Sequence, residues 1–236
     1  FRSFFSNFSG SIQARFAAFT GLYAVRDFND FTMEHVPVKS LFEHLRDNGY
    51  ACSMFYSASF DYTAFREFLN GRGLDPMYDV DTMPIEGTRN LVNWGLREND
   101  TLNAIRKQIR RYSASGDRFF LTYIPAAPHH PFDGTPGVFK RFPARDETDC
   151  VPMYLNSLLH MDSVISLILE ELETTGLLEQ TLVVVTADHG TWLGENGGPM
   201  GHGWFITPEL TNVPLIILDP RRKGHRVNYT IGSQVD

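Results

Sequence analysis

Four short apolar runs constrain the fold of this chain more than any other feature of its sequence. They are residues 51–58 (ACSMFYSA), 118–125 (RFFLTYIP), 181–187 (TLVVVTA) and 213–218 (VPLIIL). Each run has the length of a strand, and its nearly continuous apolar character is typical of a strand that is buried on both faces. The runs therefore predict the strands of a mainly parallel sheet.

Helical patterns lie between these runs, over residues 12–23, 37–48, 97–113 and 152–175. The last pattern is the clearest, because it carries one apolar stripe and ends before a glycine, Gly176. The stripe consists of Met161, Val164, Ile165, Ile168 and Leu172. Strands that alternate with helices predict an α/β fold in which helices sandwich the mainly parallel sheet.

The length and charge of the chain limit what it can be. Its 236 residues, 42% of them hydrophobic, suffice for one large core, so we expect residues 1–236 to form a single domain. The net charge is −7, and the densest basic run, residues 221–225 (RRKGH), is expected to be a solvated turn. Nucleic acid is therefore not an expected partner. Both ends of the chain look cut, so we expect it to be truncated from a longer protein.

The cysteines and the apolar stretches exclude further classes of protein. Cys52 and Cys150 are too few for a disulfide framework and show no pairing typical of metal ligands, so we expect Cys52 to be a buried thiol. No apolar stretch approaches the ~20 residues that a membrane-spanning helix needs.

Two residues that can bind a metal follow the third apolar run directly. Asp188 and His189 lie where this predicted strand ends, and sites of α/β folds form beyond the carboxyl ends of strands. The pair offers one oxygen and one nitrogen ligand, a mixture that suits Zn²⁺ or Mn²⁺ better than Ca²⁺. Taken alone, the pair is also compatible with a capped turn.

A small polar segment precedes the first helical pattern. Ser9, Gly10 and Ser11 place Ser11 near a helix N-terminus, where exposed N–H groups and the positive end of the helix dipole favour an anion. Two interpretations stay open: either Ser9 or Ser11 is only an N-cap, or Ser11 is a nucleophile.

Two further histidines lie in segments that suit a site. His129 follows the second apolar run, and His202 lies between two glycines in residues 200–204 (MGHGW). Each by itself is compatible with an ordinary loop histidine. Together with the serine and the Asp-His pair, however, the two histidines favour one common site.

The order of these segments resembles the sulfatase-like branch of the alkaline phosphatase superfamily, and most of all its lipoteichoic acid synthase-type phosphoglycerol transferases. Residues 11–21 (SIQARFAAFTG) are similar to the sulfatase signature in the spacing of the nucleophile, the arginine and the Thr-Gly pair. The resemblance implies that Ser11 is the nucleophile and that Arg15 is a substrate-binding arginine.

The remaining site residues come from three more segments of the same resemblance. Residues 186–203 (TADHGTWLGENGGPMGHG) resemble its metal-binding segment, which implies that Asp188 and His189 bind the metal together with Ser11 and that His202 is catalytic on the substrate side. Residues 129–132 (HHPF) resemble a His-x-Pro-aromatic motif and imply a second catalytic histidine, His129. Residues 64–79 (AFREFLNGRGLDPMYD) imply that Arg66 contacts the substrate.

Departures from these families bear on the chemistry. Sulfatases whose Cys or Ser is converted to formylglycine usually have proline where this chain has Gln13, so an unmodified serine nucleophile is favoured. The transferases generally use threonine in place of Ser11 and lack an arginine that matches Arg15. The family's first metal-binding acid lies upstream of the nucleophile and is not included in residues 1–236.

The resemblance implies a metal-dependent phosphotransferase or phosphodiesterase that forms a covalent intermediate on Ser11. One alternative is a sulfatase that hydrolyses sulfate esters; another is a catalytically silent relative that binds a lipid or a protein partner. The implied cofactor is a divalent metal, Mn or Zn, or Ca in a true sulfatase. The implied substrate is a phosphate or sulfate ester, with a lipid head group or a glycan as candidates. By analogy alone, the parent protein is expected to be membrane-anchored and extracytoplasmic.

Overall fold

The computed structural model describes residues 1–24, 36–92, 94–146 and 148–236. Contacts divide the chain into two compact units. The first unit consists of Phe1–His44, Asp61–Arg72 and Glu179–Asp236, and the second of Leu45–Phe60 and Gly73–Leu178.

Helices and strands alternate along most of the described chain. The α-helices are α1 (Ser11–Thr20), α2 (Leu41–Asp47), α3 (Phe65–Leu69), α4 (Glu98–Ser115), α5 (Cys150–Thr174) and α6 (Pro208–Thr211). The strands are β1 (Ser3–Phe5), β2 (Ala51–Tyr56), β3 (Leu74–Tyr78), β4 (Leu91–Val92), β5 (Gly95–Leu96), β6 (Phe119–Ile124), β7 (Val183–Thr186), β8 (Asn212–Val213), β9 (Leu215–Leu218) and β10 (Ile231–Ser233). Short 3-10 helices lie at Tyr62–Ala64, Gly137–Phe139, Leu178–Gln180 and Glu195–Gly197.

A parallel sheet forms the centre of the second unit. Its strand order is β3-β2-β6, and both pairings are parallel, with Ala51 opposite Phe119 at one end of the β2–β6 ladder. Met54 and Phe55 of the central strand are fully buried, as expected for a strand with neighbours on both sides. The prediction of parallel strands from the first two apolar runs is confirmed.

The two long helices of the second unit pack through the stripe that the sequence predicts. Met161 and Val164 of α5 form a buried cluster with Leu102 of α4. The buried carboxylate of Glu171 on α5 accepts hydrogen bonds from Arg106 and Arg110 of α4, at 2.7 and 2.6 Å. The helix α5 therefore contacts α4 through both an apolar stripe and ion pairs to the buried carboxylate of Glu171.

The first unit contains two small sheets. One has the order β10-β1-β8, in which β1 pairs parallel with β10 and antiparallel with β8. The other is the antiparallel pair β7–β9, with Val183 opposite Leu218. Of this pair, Val184 is 51% exposed and Ile216 55% exposed.

The prediction that the third and fourth apolar runs are buried on both faces, as in a parallel sheet, is thus wrong for the described residues. Alternate side chains of a strand point to opposite faces, and an all-apolar run does not specify which faces are covered. Pro214 also interrupts the fourth run, which forms β8 before it and β9 after it, because proline has no N–H to donate to a ladder.

Two smaller predictions, the buried thiol of Cys52 and the solvated turn at residues 221–225, are confirmed. Cys52 and Cys150 are free and buried, and residues 221–225 form an exposed turn. No helix in the described ranges is both long enough and apolar enough to cross a membrane. Between β6 and α5, Gly137–Phe139 form a 3-10 turn.

Candidate active site

Ser11 is the first residue of α1, directly after an extended N-cap. The N-cap is Gly10, with φ −131° and ψ 147°, so the hydroxyl of Ser11 is not the helix cap. Instead, Oγ of Ser11 lies 2.9 Å from Nε2 of His189. The interpretation of Ser11 as merely a capping residue therefore does not describe its contacts.

The imidazole of His189 is held in one orientation by the chain that follows it. Its Nδ1 lies 2.7 Å from the carbonyl oxygen of Gly190. Because a carbonyl only accepts hydrogen bonds, Nδ1 carries the proton in this contact, and Nε2 of the neutral ring keeps its lone pair. A backbone carbonyl that orients a ring in this way is common behind metal-binding histidines.

Asp188 lies between a histidine and an arginine. Its Oδ1 accepts a hydrogen bond from the backbone N–H of His189 at 3.0 Å, and its Oδ2 lies 3.4 Å from Nε of Arg15 and 3.7 Å from Nε2 of His189. Burial by itself would raise the pKa of this carboxyl. When the ring of His189 is protonated, its charge, the charge of Arg15 and hydrogen bonds from the His189 N–H and from Ser11 outweigh this effect and lower the pKa of Asp188 to about 2. The group is therefore a carboxylate at neutral pH.

These three side chains have donor atoms that fit a divalent metal. Oγ of Ser11, Nε2 of His189 and Oδ2 of Asp188 form a group in which Nε2 is 2.9 Å from Oγ and 3.7 Å from Oδ2. Ligand atoms that are each ~2 Å from one tetrahedral metal lie at separations of this size. The structure thus brings the predicted ligands together, and the mixed nitrogen and oxygen set suits Mn²⁺ or Zn²⁺. Their binding of a metal stays a prediction.

Gly190 completes the Asp-His-Gly segment for a steric reason. Its N–H donates to the carbonyl of Leu210 at 2.7 Å. A Cβ added at this position would lie 2.1 Å from the carbonyl oxygen of Glu209, far inside van der Waals contact. The close approach of these backbones fixes the turn that carries Asp188 and His189, and only glycine fits there.

His202 stands beside His189. The two ring centroids are 4.1 Å apart with an interplanar angle of 32°. Gly201 and Gly203 flank it with φ of 112° and 95°, values that residues with a side chain rarely adopt. The glycines around His202 are thus required by the loop conformation that sets this ring against His189.

Gln234 is a site residue that the sequence reasoning missed. Its Nε2 donates to the carbonyl of Asp188 at 2.8 Å, and its Oε1 accepts from the backbone N–H of Asn7 at 3.1 Å and from Oγ of Ser6 at 3.2 Å. It therefore ties the end of β7 to the segment that leads into Ser11. No local signal marks it, because a lone glutamine near the last strand looks like any surface residue.

Arg66 lies on α3 and forms an ion pair with Asp61. The residues before it, Thr63 and Ala64, have φ of 64° and 48°, which is rare for residues other than glycine. Such strained turns occur frequently at functional sites. The role of Arg66 toward a substrate stays a prediction.

His129 belongs to the second unit and follows β6 as expected. Its Nδ1 lies 2.9 Å from the carbonyl oxygen of His130, so the basic atom of the neutral ring is Nε2. The ring of Trp94 meets it at a centroid distance of 4.4 Å and an angle of 87°. Its catalytic role likewise stays a prediction.

The chain is similar in sequence to known proteins. The sequence matches the model of the Sulfatase family over residues 1–236. It is 26% identical over 194 residues to the ulvan-active sulfatase of Formosa agariphila, a match that covers 74% of this chain and 37% of that protein. It is 22% identical over 153 residues to phosphoglycerol transferase I of Xanthomonas axonopodis pv. citri, covering 64% of this chain and 22% of that protein.

The fold is similar to that of the lipoteichoic acid synthase LtaP from Listeria monocytogenes. The TM-score is 0.81 at 17% identity, over 99% of this chain and 60% of that one. The chain therefore has the alkaline phosphatase and sulfatase type of α/β fold that its sequence predicts. It spans less than two thirds of the length of each of these three proteins.

Proposed function

This chain belongs to the sulfatase family, and we propose that it is a metal-dependent phosphotransferase or phosphodiesterase that forms a covalent intermediate on Ser11. The observation that carries the proposal is the 2.9 Å contact between Oγ of Ser11 and Nε2 of His189, with the carboxylate of Asp188 3.7 Å from the same nitrogen. A hydroxyl at a helix N-terminus among metal-binding groups is an arrangement that activates a nucleophile.

Proteins of this superfamily generally use a divalent metal. Asp188, His189 and Ser11 would hold it, and when bound it would supply the Lewis acidity that lowers the pKa of the Ser11 hydroxyl. Mn²⁺ or Zn²⁺ is the proposed ion.

The chain's own residues then account for the group transfer. Oγ of Ser11 loses its proton to solvent and forms a bond to phosphorus while the bond from phosphorus to the leaving alkoxide breaks. The alkoxide takes a proton from a substrate-side histidine, and a phosphorylated Ser11 that keeps the remaining ester group of a diester is left. An acceptor alcohol or water next gives its proton to that histidine and forms a bond to phosphorus as the bond to Oγ of Ser11 breaks. The first N–H groups of α1 and the side chain of Arg15 are proposed to stabilise the phosphoryl oxygens.

The two histidines act on the substrate side in this proposal. His202 and His129 donate hydrogen bonds to the phosphoryl oxygens or protonate the leaving alkoxide. Loss of one such donor typically lowers the rate by ~10²–10³. Arg66 is proposed to bind the substrate further from the reacting atom.

A sulfatase is the second candidate, favoured by the match to the ulvan-active sulfatase. Gln13 argues against it, because conversion of the nucleophile to formylglycine usually involves proline at that position. The substrate in either case is a phosphate or sulfate ester, with a lipid head group or a glycan as candidates. The third candidate function is that of a catalytically silent relative that binds a lipid or a protein. An extracytoplasmic, membrane-anchored parent protein is part of the proposal by analogy only.

The proposal is tested by assaying the full-length, metal-loaded protein against a chromogenic phosphodiester and an aryl sulfate, as wild type, Ser11→Ala and Ser11→Thr. We expect phosphodiester turnover that is lost in Ser11→Ala and retained in part by Ser11→Thr, because the hydroxyl nucleophile is kept. Sulfate hydrolysis in the wild type that disappears in Ser11→Thr, with no phosphodiester turnover, would support the sulfatase instead. No turnover of either ester by metal-loaded protein would support the silent relative.

A further inference from the structure

The second unit contains a buried carboxylate that none of the steps above uses. Glu98 is the first residue of α4 and is only 2% exposed. A buried acid is costly unless hydrogen bonds and charges compensate for the loss of water. The groups that compensate Glu98 therefore indicate what it does.

Four donors converge on this carboxylate, and two of them come from one turn. Oε1 accepts the backbone N–H groups of Ala126 at 2.8 Å and Ala127 at 2.7 Å. Oε2 accepts Oγ of Ser57 at 2.7 Å and the hydroxyl of Tyr123. Burial raises the pKa of Glu98, while these four hydrogen bonds oppose the rise. The N-terminus of the 18-residue helix α4 also favours the charged form.

The turn that Glu98 holds leads directly to His129. The N–H of His129 donates to the carbonyl of Ala126 at 3.0 Å, so the histidine is one hydrogen bond away from the residue that Glu98 fixes. On the other side of the turn, a Cβ added to Gly95 would lie 2.9 Å from Cβ of Ala126, which shows how closely β5 approaches. Trp94, the residue before Gly95, then meets the ring of His129 at 4.4 Å.

We propose that Glu98 is a positioning residue for His129: its carboxylate fixes the turn after β6, and that turn together with Trp94 sets the direction of the imidazole. This inference rests on the substrate-side role proposed above for His129. It explains why an acid is buried at the start of α4 and why one of its oxygens accepts both backbone N–H groups of the turn.

The test compares Glu98→Ala and Glu98→Gln in the full-length, metal-loaded protein, each alone and combined with His129→Ala. We expect Glu98→Ala to lower kcat on the order of 10- to 100-fold, as a small misplacement of a catalytic group does. In the His129→Ala background it should cost nothing further, because it acts through that histidine. Glu98→Gln should retain most activity, since its amide oxygen can accept from Ala126 and Ala127 while the two hydroxyls turn to accept from its NH₂ group.

The matched control is Glu171→Gln, a second buried acid of the same unit, whose carboxylate accepts hydrogen bonds from Arg106 and Arg110. It should leave kcat and amide exchange in the turn unchanged. Hydrogen exchange at Ala126 and Ala127 gives a readout that does not need catalysis, and it should accelerate in Glu98→Ala alone. Equal losses of kcat in both His129 backgrounds, or unchanged exchange, would overturn the inference. If His129→Ala proves fully active while exchange still accelerates, the role of His129 fails and the positioning of its turn stands.

Discussion

The hydroxyl of Ser11 lies 2.9 Å from Nε2 of His189, although 178 positions separate the two residues in the sequence. The contact joins the start of α1 to the turn that follows β7. Local propensity alone does not produce such a contact. The contact between Ser11 and His189 depends on the backbone conformation at Gly190 and on the hydrogen bond that Gln234 donates to the carbonyl of Asp188.

Gly190→Ala should weaken the candidate metal site although glycine carries no ligand. The new Cβ would lie 2.1 Å from the carbonyl oxygen of Glu209, so the turn must move and carry Asp188 and His189 with it. We expect metal affinity to fall by ~10-fold or more, which corresponds to ~1.4 kcal/mol. Titration calorimetry with Mn²⁺ and Zn²⁺ measures this. Gly137→Ala is the control, because its Cβ would meet no atom within 4 Å. Equal affinities in both variants would contradict the account of the turn.

Gln234→Ala should weaken the same candidate metal site, because Gln234 donates a hydrogen bond to the backbone carbonyl of Asp188. It removes the hydrogen bonds to the carbonyl of Asp188 and to the segment at Asn7. Each such bond contributes ~1 kcal/mol, so we expect a lower midpoint of unfolding together with a weaker metal site. Asn228→Ala, whose side chain accepts from the nearby Thr230 N–H, should change stability much less. A variant that unfolds at lower denaturant but keeps full metal affinity would show that Gln234 is only structural.

His202→Ala should lower turnover without loss of metal. The ring lies tilted against that of His189 at a centroid distance of 4.1 Å, and its proposed role is on the substrate side, so its loss would remove a donor to the reacting group. We expect kcat to fall by ~10²–10³ while the metal content stays stoichiometric. His225→Ala, in the exposed turn of residues 221–225, is the control. A metal-free His202→Ala protein would instead make His202 a ligand.

Removal of the metal should abolish turnover reversibly. The donor set of one nitrogen and two oxygens predicts that Mn²⁺ or Zn²⁺ restores activity after chelation and dialysis, and that Ca²⁺ does so poorly. Metal analysis of each preparation must accompany the assay. Restoration by Ca²⁺ alone would favour the sulfatase alternative, and full activity in metal-free protein would exclude the proposed mechanism.

Periodicity predicts the parts of this fold that repeat along the chain. The apolar stripe of α5 and the runs that form β2 and β6 carry their burial in their own sequence, and the structure places them as expected. The pairing of β7 with β9 could not be read in this way, because two apolar strands pair antiparallel or parallel with the same composition.

The residues of the candidate site fall into two groups, those that the local sequence marks and those that it does not. Asp188, His189 and Ser11 could be identified because a strand end and a helix start mark them, and the structure brings their donor atoms together. Gln234 and Glu98 could not, because their importance comes from backbone groups that are far away in sequence. A glutamine or a glutamate in a sequence does not indicate which distant backbone group its side chain contacts.

Mass spectrometry of the peptide that carries Ser11 tests the central claim most directly. Trypsin should release residues 3–15, and fragmentation then locates a modification among its serines. The full-length, metal-loaded protein is analysed at rest and after acid quenching during turnover of a phosphodiester. The account predicts an unmodified serine at rest and a phosphoryl adduct on Ser11 after quenching. A resting peptide that is lighter by a pair of hydrogens at Ser11, as formylglycine would be, with no phosphoryl adduct during turnover, would contradict it.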